Sequence, residues 1–162
     1  MLPDLDIERR LQAVERFMRE IHGDRGATAD TTWTPVFSGS GTAGTFIYTA
    51  QNGYYTLAGN RCFINGLIAT SSFSVAPTLD MRITGLPFPA SADTNNYSVI
   101  VFRTHLLDFD AGFTYAVGQI NPVNQFMYIV ECGDNVASAI IQGTTFDNQA
   151  AVNIAFAGFY KI

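Results

Sequence analysis

Between Ile7 and Ile21 the apolar residues fall at alternating spacings of four and three: Ile7, Leu11, Val14, Met18 and Ile21. Wound as a helix, this is the a/d seam of a coiled coil, with Leu11 and Met18 at a and Ile7, Val14 and Ile21 at d. The positions around the seam are mostly charged (Glu8, Arg9, Arg10, Glu15, Arg16, Arg19, Glu20), and Phe17 at g is the one residue that widens it. An amphipathic helix lying on its own domain carries a broader apolar stripe. Arg10 at g and Glu15 at the next e are spaced to pair between parallel chains. Leucine at a with β-branched residues at d disfavours two strands and favours three or four. The competing expectation is an ordinary N-terminal helix. Two heptads are short, since isolated helices below about 12–15 residues are marginal in water. Association through this seam therefore needs help from the rest of the chain.

The seam sorts the 162 residues into three parts: a coiled-coil helix that serves as stalk or anchor over 1–24, a small polar linker over 25–32, and a head domain over 33–162. Asp4 or Asp6 suits the helix N-cap, and Gly23 suits its stop. The charges crowd into the stalk. After Gly26 the bases are Arg61, Arg82, Arg103 and Lys161, and the net charge of the whole chain is −5. That balance argues against a nucleic-acid partner. A charge-poor head argues for surface hidden between subunits, because interface cores are depleted in charge. No apolar run reaches the roughly 18 residues that cross a membrane, so membrane insertion is not expected. The first residues also lack the basic and apolar regions of a signal peptide. Synthesis in a cytosol is therefore expected, with Cys62 and Cys132 as free thiols in strand-like runs. Two cysteines and the distant His22 and His105 do not form a metal site, and no cofactor is expected.

From Trp33 onward the period changes from helical to extended. Short aromatic and β-branched runs are separated by Gly, Asn, Asp, Pro and Ser, at the spacing of a sandwich or barrel. Candidate strands are 33–37, 45–50, 54–58, 61–69, 80–85, 97–102, 112–117, 125–131, 137–142 and 150–162. Gln51-Asn52-Gly53 and Gly59-Asn60 carry tight-turn chemistry. In the last strand Val152, Ile154, Phe156, Tyr160 and Ile162 take one face. Ala151, Asn153, Ala155, Ala157 and Lys161 take the other. A large-apolar face backed by small residues predicts a central strand with something packed closely behind it.

Four stretches carry a resemblance: Trp33-Thr34-Pro35-Val36; Tyr48-Thr49-Ala50-Gln51-Asn52-Gly53-Tyr54-Tyr55; Gly59-Asn60 before a strand; and Ile83-Thr84-Gly85-Leu86-Pro87-Phe88. In this order they resemble the C-terminal head module of bacteriophage and prophage tail fibres and tailspikes. The likeness runs over roughly 33–162. It departs from the family in 71–80, which lacks the glycine expected before the last motif, and in the shortness of the stalk. The resemblance implies a mainly β fold, a jelly-roll-like antiparallel β-sandwich carried as a homotrimer on a short trimeric coiled coil. It implies a virion protein, made in the host cytoplasm, that attaches the particle to a bacterial surface receptor, a glycan or a protein. The N-terminal helix would contact another virion protein. The alternative is a structural capsid-decoration or connector trimer with no receptor role; a signalling trimer shares the architecture.

No enzyme motif appears: there is no Gly-x-Ser-x-Gly, no phosphate-cradling loop and no His-Glu-x-x-His. The expectation is that the chain is not an enzyme. Asp108 and Asp110 are closely spaced acids, read as a solvated strand end against a cation site or carboxylate pair. His105 reads as structural and Glu131 as a rim charge. If each candidate strand spans the head and reverses at each loop, the loops away from the stalk are 38–44, 59–60, 86–96, 118–124 and 143–149. They offer Phe88, Asp93, Asn95, Asn96, Asn121, Asn124, Phe146, Asp147 and Asn148 as receptor contacts, amides and carboxylates beside an aromatic ring. The same composition is ordinary for loops.

Overall fold

The structure, a computed structural model, describes residues 30–147 and 151–162, together with Gln12. The seam residues Ile7, Leu11, Val14, Met18 and Ile21 lie outside the described residues, as does Asn148. Among the described residues ten strands follow one another: β1 (Thr31–Trp33), β2 (Val36–Gly39), β3 (Thr45–Ala58), β4 (Arg61–Val75), β5 (Met81–Thr84), β6 (Ser98–His105), β7 (Tyr115–Ile120), β8 (Phe126–Cys132), β9 (Ala139–Ile140) and β10 (Asn153–Lys161). A short helix, α1 (Gly143–Asp147), sits between the last two. The strands form one antiparallel sheet in the order β1-β3-β4-β10-β6-β7-β8-β5-β2, with β9 beside β8. The sheet curls into a half-barrel, so the mainly β antiparallel class expected from the sequence holds. β1 begins inside the stretch read as a linker.

Alternation builds the core. On β5 Met81 and Ile83 point inward and are fully buried, while Arg82 and Thr84 point out. On β10 Ile154, Phe156 and Tyr160 point inward and meet Ile64, Ile68 and Ile100 from the neighbouring strands. Each such side chain contributes about 1.5–3 kcal/mol by leaving water.

Curling depends on the switch at Pro35. The sequence predicts one strand over 33–37. Instead β1 pairs with β3 at one edge of the sheet and β2 pairs with β5 at the other. Pro35, between them, has no N–H to give to a ladder and a fixed φ. The two edges then lie side by side: the Gln51 side-chain Nε2 donates to the Pro35 carbonyl at 2.9 Å, and the Phe37 N–H donates to the Tyr48 hydroxyl at 3.0 Å.

The turn expected at Gln51-Asn52-Gly53 is absent, and β3 runs straight through it. Gly53 stands opposite Gly66. A Cβ on Gly53 would lie 2.5 Å from Trp33 Nε1, and one on Gly66 would lie 2.5 Å from Phe156 Cζ. The two glycines leave a hollow on the inner face. The Trp33 and Phe156 rings fill it, with centroids 5.8 Å apart. Gly59-Asn60 does form the expected two-residue hairpin, Ala58 opposite Arg61, with Gly59 at φ 59°.

Strand polarity then sorts the loops into two ends. β3 ends at Gly59-Asn60, and loops 85–97 and 121–125 gather at the same end. So does the last residue, whose amide donates to the Asn60 carbonyl at 2.9 Å. β1 runs away from this end, Thr31 opposite Tyr55 and Trp33 opposite Gly53, and Asp30 hydrogen-bonds the Thr56 hydroxyl. The chain therefore enters the sheet here, at what we call the near end. Loops 40–44, 76–80, 106–114 and 133–138, with α1, form the far end.

Candidate functional site

Six of the residues expected to meet a receptor come together at the near end: Phe88, Asp93, Asn95, Asn96, Asn121 and Asn124. Sequence parity placed them opposite the stalk; the structure places them beside the entering chain. The reversal comes from splitting β3 in two, which adds one turn; β1 and β2 both run from the near end towards the far end, so fusing them leaves the parity unchanged. The same parity put the chain's last residue beside the stalk, and there it does lie.

The near-end polar groups are largely spent on their own loops. Asp93 Oδ1 accepts from the Asn95 amide at 3.3 Å, and its carbonyl accepts from the Asn96 amide at 2.9 Å. Lys161 Nζ lies 3.6 Å from Asp93 Oδ2, an exposed pair worth about 0–1 kcal/mol. Asn121 Oδ1 accepts from Gln119 Nε2 at 2.7 Å, and the Asn124 carbonyl accepts from the Ala90 amide at 2.8 Å. The Phe88 ring packs edge-on against Tyr55, 5.6 Å between centroids. Asn96 Nδ2 is buried with no partner among the described residues.

Two of the remaining candidates lie at the far end, on α1. Phe146 is no surface contact: it is 1% exposed and meets Phe37 edge-on at 5.4 Å. It belongs to the core because α1 lies close on the 76–80 loop. Gly143 permits that approach; a Cβ there would lie 2.4 Å from the Pro77 carbonyl oxygen. Asp147 closes the helix.

Beside α1, loop 106–114 completes a polar hollow of about 240 Å³, lined by Asp108, Phe109, Asp110, Thr144 and Thr145. Asp108 and Asp110 are exposed and Phe109 is half-buried against the core. Behind them Glu131 is 2% exposed, not the rim charge expected from the sequence. It holds the loop: its Oε2 accepts from the Asp110 amide at 3.1 Å. Burial pushes the Glu131 carboxyl above the usual glutamate range, the Asp110 amide opposes this, and the Asp110 charge adds to it. Carboxylate acceptors, threonine hydroxyls and a ring edge are groups that hold a polyhydroxylated ligand. Among the described residues no three His, Cys, Asp or Glu side chains could hold a metal ion. No described helix is long and apolar enough to cross a membrane. The free thiols fall as expected, Cys62 buried and Cys132 half-buried.

No family model and no curated protein matches the chain. Among solved structures the fold is similar to that of the Dettilon tailspike protein, with a TM-score of 0.66 and 16% identity. The likeness covers 82% of this chain and 23% of that one, so this chain spans less than a quarter of the tailspike's length. The expected resemblance to a phage tailspike module thus holds for the fold. The expectation that the chain is not an enzyme is overturned by the same neighbour. Tailspikes are often glycan-degrading enzymes, and a segment matching 23% of one says nothing about catalysis through the motifs it lacks.

Proposed function

We propose that this chain is the head module of a phage tail spike or fibre, and that it attaches the particle to a glycan on a bacterial surface. The observation that carries the proposal is the tailspike-like fold over 82% of the chain. In this reading residues 1–24 form the trimeric stalk that contacts another virion protein, and 33–162 form the head. A stalk leading into β1 meets the head at the near end and turns the far end outward. The hollow of Asp108, Asp110, Thr144 and Thr145 then faces the cell, while Asp93, Asn95, Asn96, Asn121 and Asn124 shape the collar beside the stalk. Three heads per assembly multiply weak single contacts into avidity.

The test is binding of the purified full chain to polysaccharide extracted from a panel of bacterial strains, read by interferometry. Saturable binding to one strain's polysaccharide, with matching adsorption to its cells, is the expected result. Absence of binding to the cells and polysaccharide of a strain infected by a particle carrying this chain overturns the proposal. The same incubation reads cleavage separately, as release of reducing ends. A chimera bearing this head on another fibre separates attachment from a connector role: retargeted adsorption supports attachment, and unchanged host range supports the connector.

A further inference from the structure

We propose that the outer face of the sheet centred on β10 is the surface on which copies of this chain pack against one another. This rests on the three-copy reading above and names the surface it uses. β10 is a central strand, laddered to β4 on one side and β6 on the other. Its inward residues are core, but its outward residues, Ala155, Ala157 and Phe159, meet no other layer among the described residues. Val101 stands opposite Ala157 and is 69% exposed; Val99, on the same strand, is 61% exposed. Soluble monomers rarely leave such a contiguous apolar patch open to water. The outward positions of β4, β10, β6 and β7 carry no carboxylate, and their cations are Arg61, Arg103 and Lys161.

The relief of the face fits a second copy. Phe63 and Phe159 form a raised aromatic pair, 5.4 Å apart, and Arg61 lies 4.9 Å over the Phe159 ring. Beside this ridge lies a shallow apolar hollow of about 230 Å³ between Val101, Arg103, Ala155 and Ala157. Ridge and hollow lie side by side on one face, so around a three-fold axis the ring of one copy seats on the alanine floor of the next. Four strands about 4.8 Å apart, crossed by side-chain rows about 7 Å apart over about four spacings, offer on the order of 500 Å². A stable interface buries about 800 Å² per partner. In a three-copy assembly the face is shared between two neighbours and supplies part of that; in the reading above the rest falls to the heptad seam of Ile7, Leu11, Val14, Met18 and Ile21.

The test uses the full chain. Light scattering of the wild type counts the copies. Maleimide labelling then compares Val101→Cys, on the face, with Thr94→Cys, on an exposed near-end loop, with the wild type correcting for its own thiols. The expected result is an oligomer in which Val101→Cys labels at least tenfold more slowly than Thr94→Cys. Adding Ala157→Arg to Val101→Cys is expected to restore fast labelling, with the wild-type circular dichroism spectrum retained. An oligomer in which both cysteines label at similar rates overturns this interface and leaves the three-copy reading standing. A monomeric wild type overturns both.

Discussion

The Tyr160 hydroxyl straddles the backbone of Phe88, donating to its carbonyl oxygen at 3.0 Å and accepting from its amide at 3.2 Å. One side chain on β10 thus fixes the start of the 85–97 loop. Burial pushes the hydroxyl far above the usual tyrosine range and the Cys62 side chain adds to this, against the Phe88 backbone. The phenol therefore stays protonated and keeps donating.

Tyr160→Phe leaves both Phe88 groups without this partner in a half-buried place. The expected cost is about 1–3 kcal/mol, read as a lower urea midpoint with an unchanged slope. A loss below about 0.5 kcal/mol contradicts the role given to the hydroxyl.

Gly53→Ala places a methyl group where the Trp33 indole lies. The ring must move, and its N–H must release the Tyr54 carbonyl at 3.3 Å. Trp33 is the chain's single tryptophan, so its fluorescence reports the shift. Red-shifted emission is expected, together with about 1–3 kcal/mol of lost stability, the usual cost of overpacking. Unchanged emission contradicts the packing described.

Glu131 makes stability depend on pH. Its folded carboxyl holds a proton above the ordinary value of 4.5. Below that value both states are protonated and the group's contribution to stability is fully present. Between the ordinary and the raised value the folded state carries more protons, so this contribution is lost as pH rises. Glu131→Gln keeps a side-chain oxygen for the Asp110 amide and removes the titration. The advantage of the variant over the wild type, from urea melts at a series of pH values, is expected to grow as pH rises through that window. A constant difference contradicts the burial of Glu131.

How much was legible follows from single residues. The pattern of Val152, Ile154, Phe156 and Tyr160 announced a central strand because both faces of β10 are set by alternation alone. Gly59-Asn60 announced a hairpin because φ 59° at Gly59 is a local demand. Gly53 misled because a glycine that makes room for Trp33 looks, in sequence, like one that makes a turn. Pro35 hid a change of sheet edge because the partners of β1 and β2 are distant in the chain. The turn read at Gly53 alone assigns Asp93, Asn95, Asn96, Asn121 and Asn124 to the outward end, whereas the unbroken β3 brings them to the stalk end. Phe146 and Glu131 looked like surface residues because what buries them is α1 and the 106–114 loop, and neither has a period to read.

The direct test of which end meets the cell is a pair of substitutions assayed on the polysaccharide that the wild type binds. Thr144→Arg fills the far-end hollow, and Asn95→Arg adds the same bulk and charge at the near end. At least a tenfold loss of affinity in Thr144→Arg, with Asn95→Arg within twofold of wild type, is the expected result. The reverse pattern, with Asn95→Arg losing binding and Thr144→Arg keeping it, contradicts the outward placement of the far end.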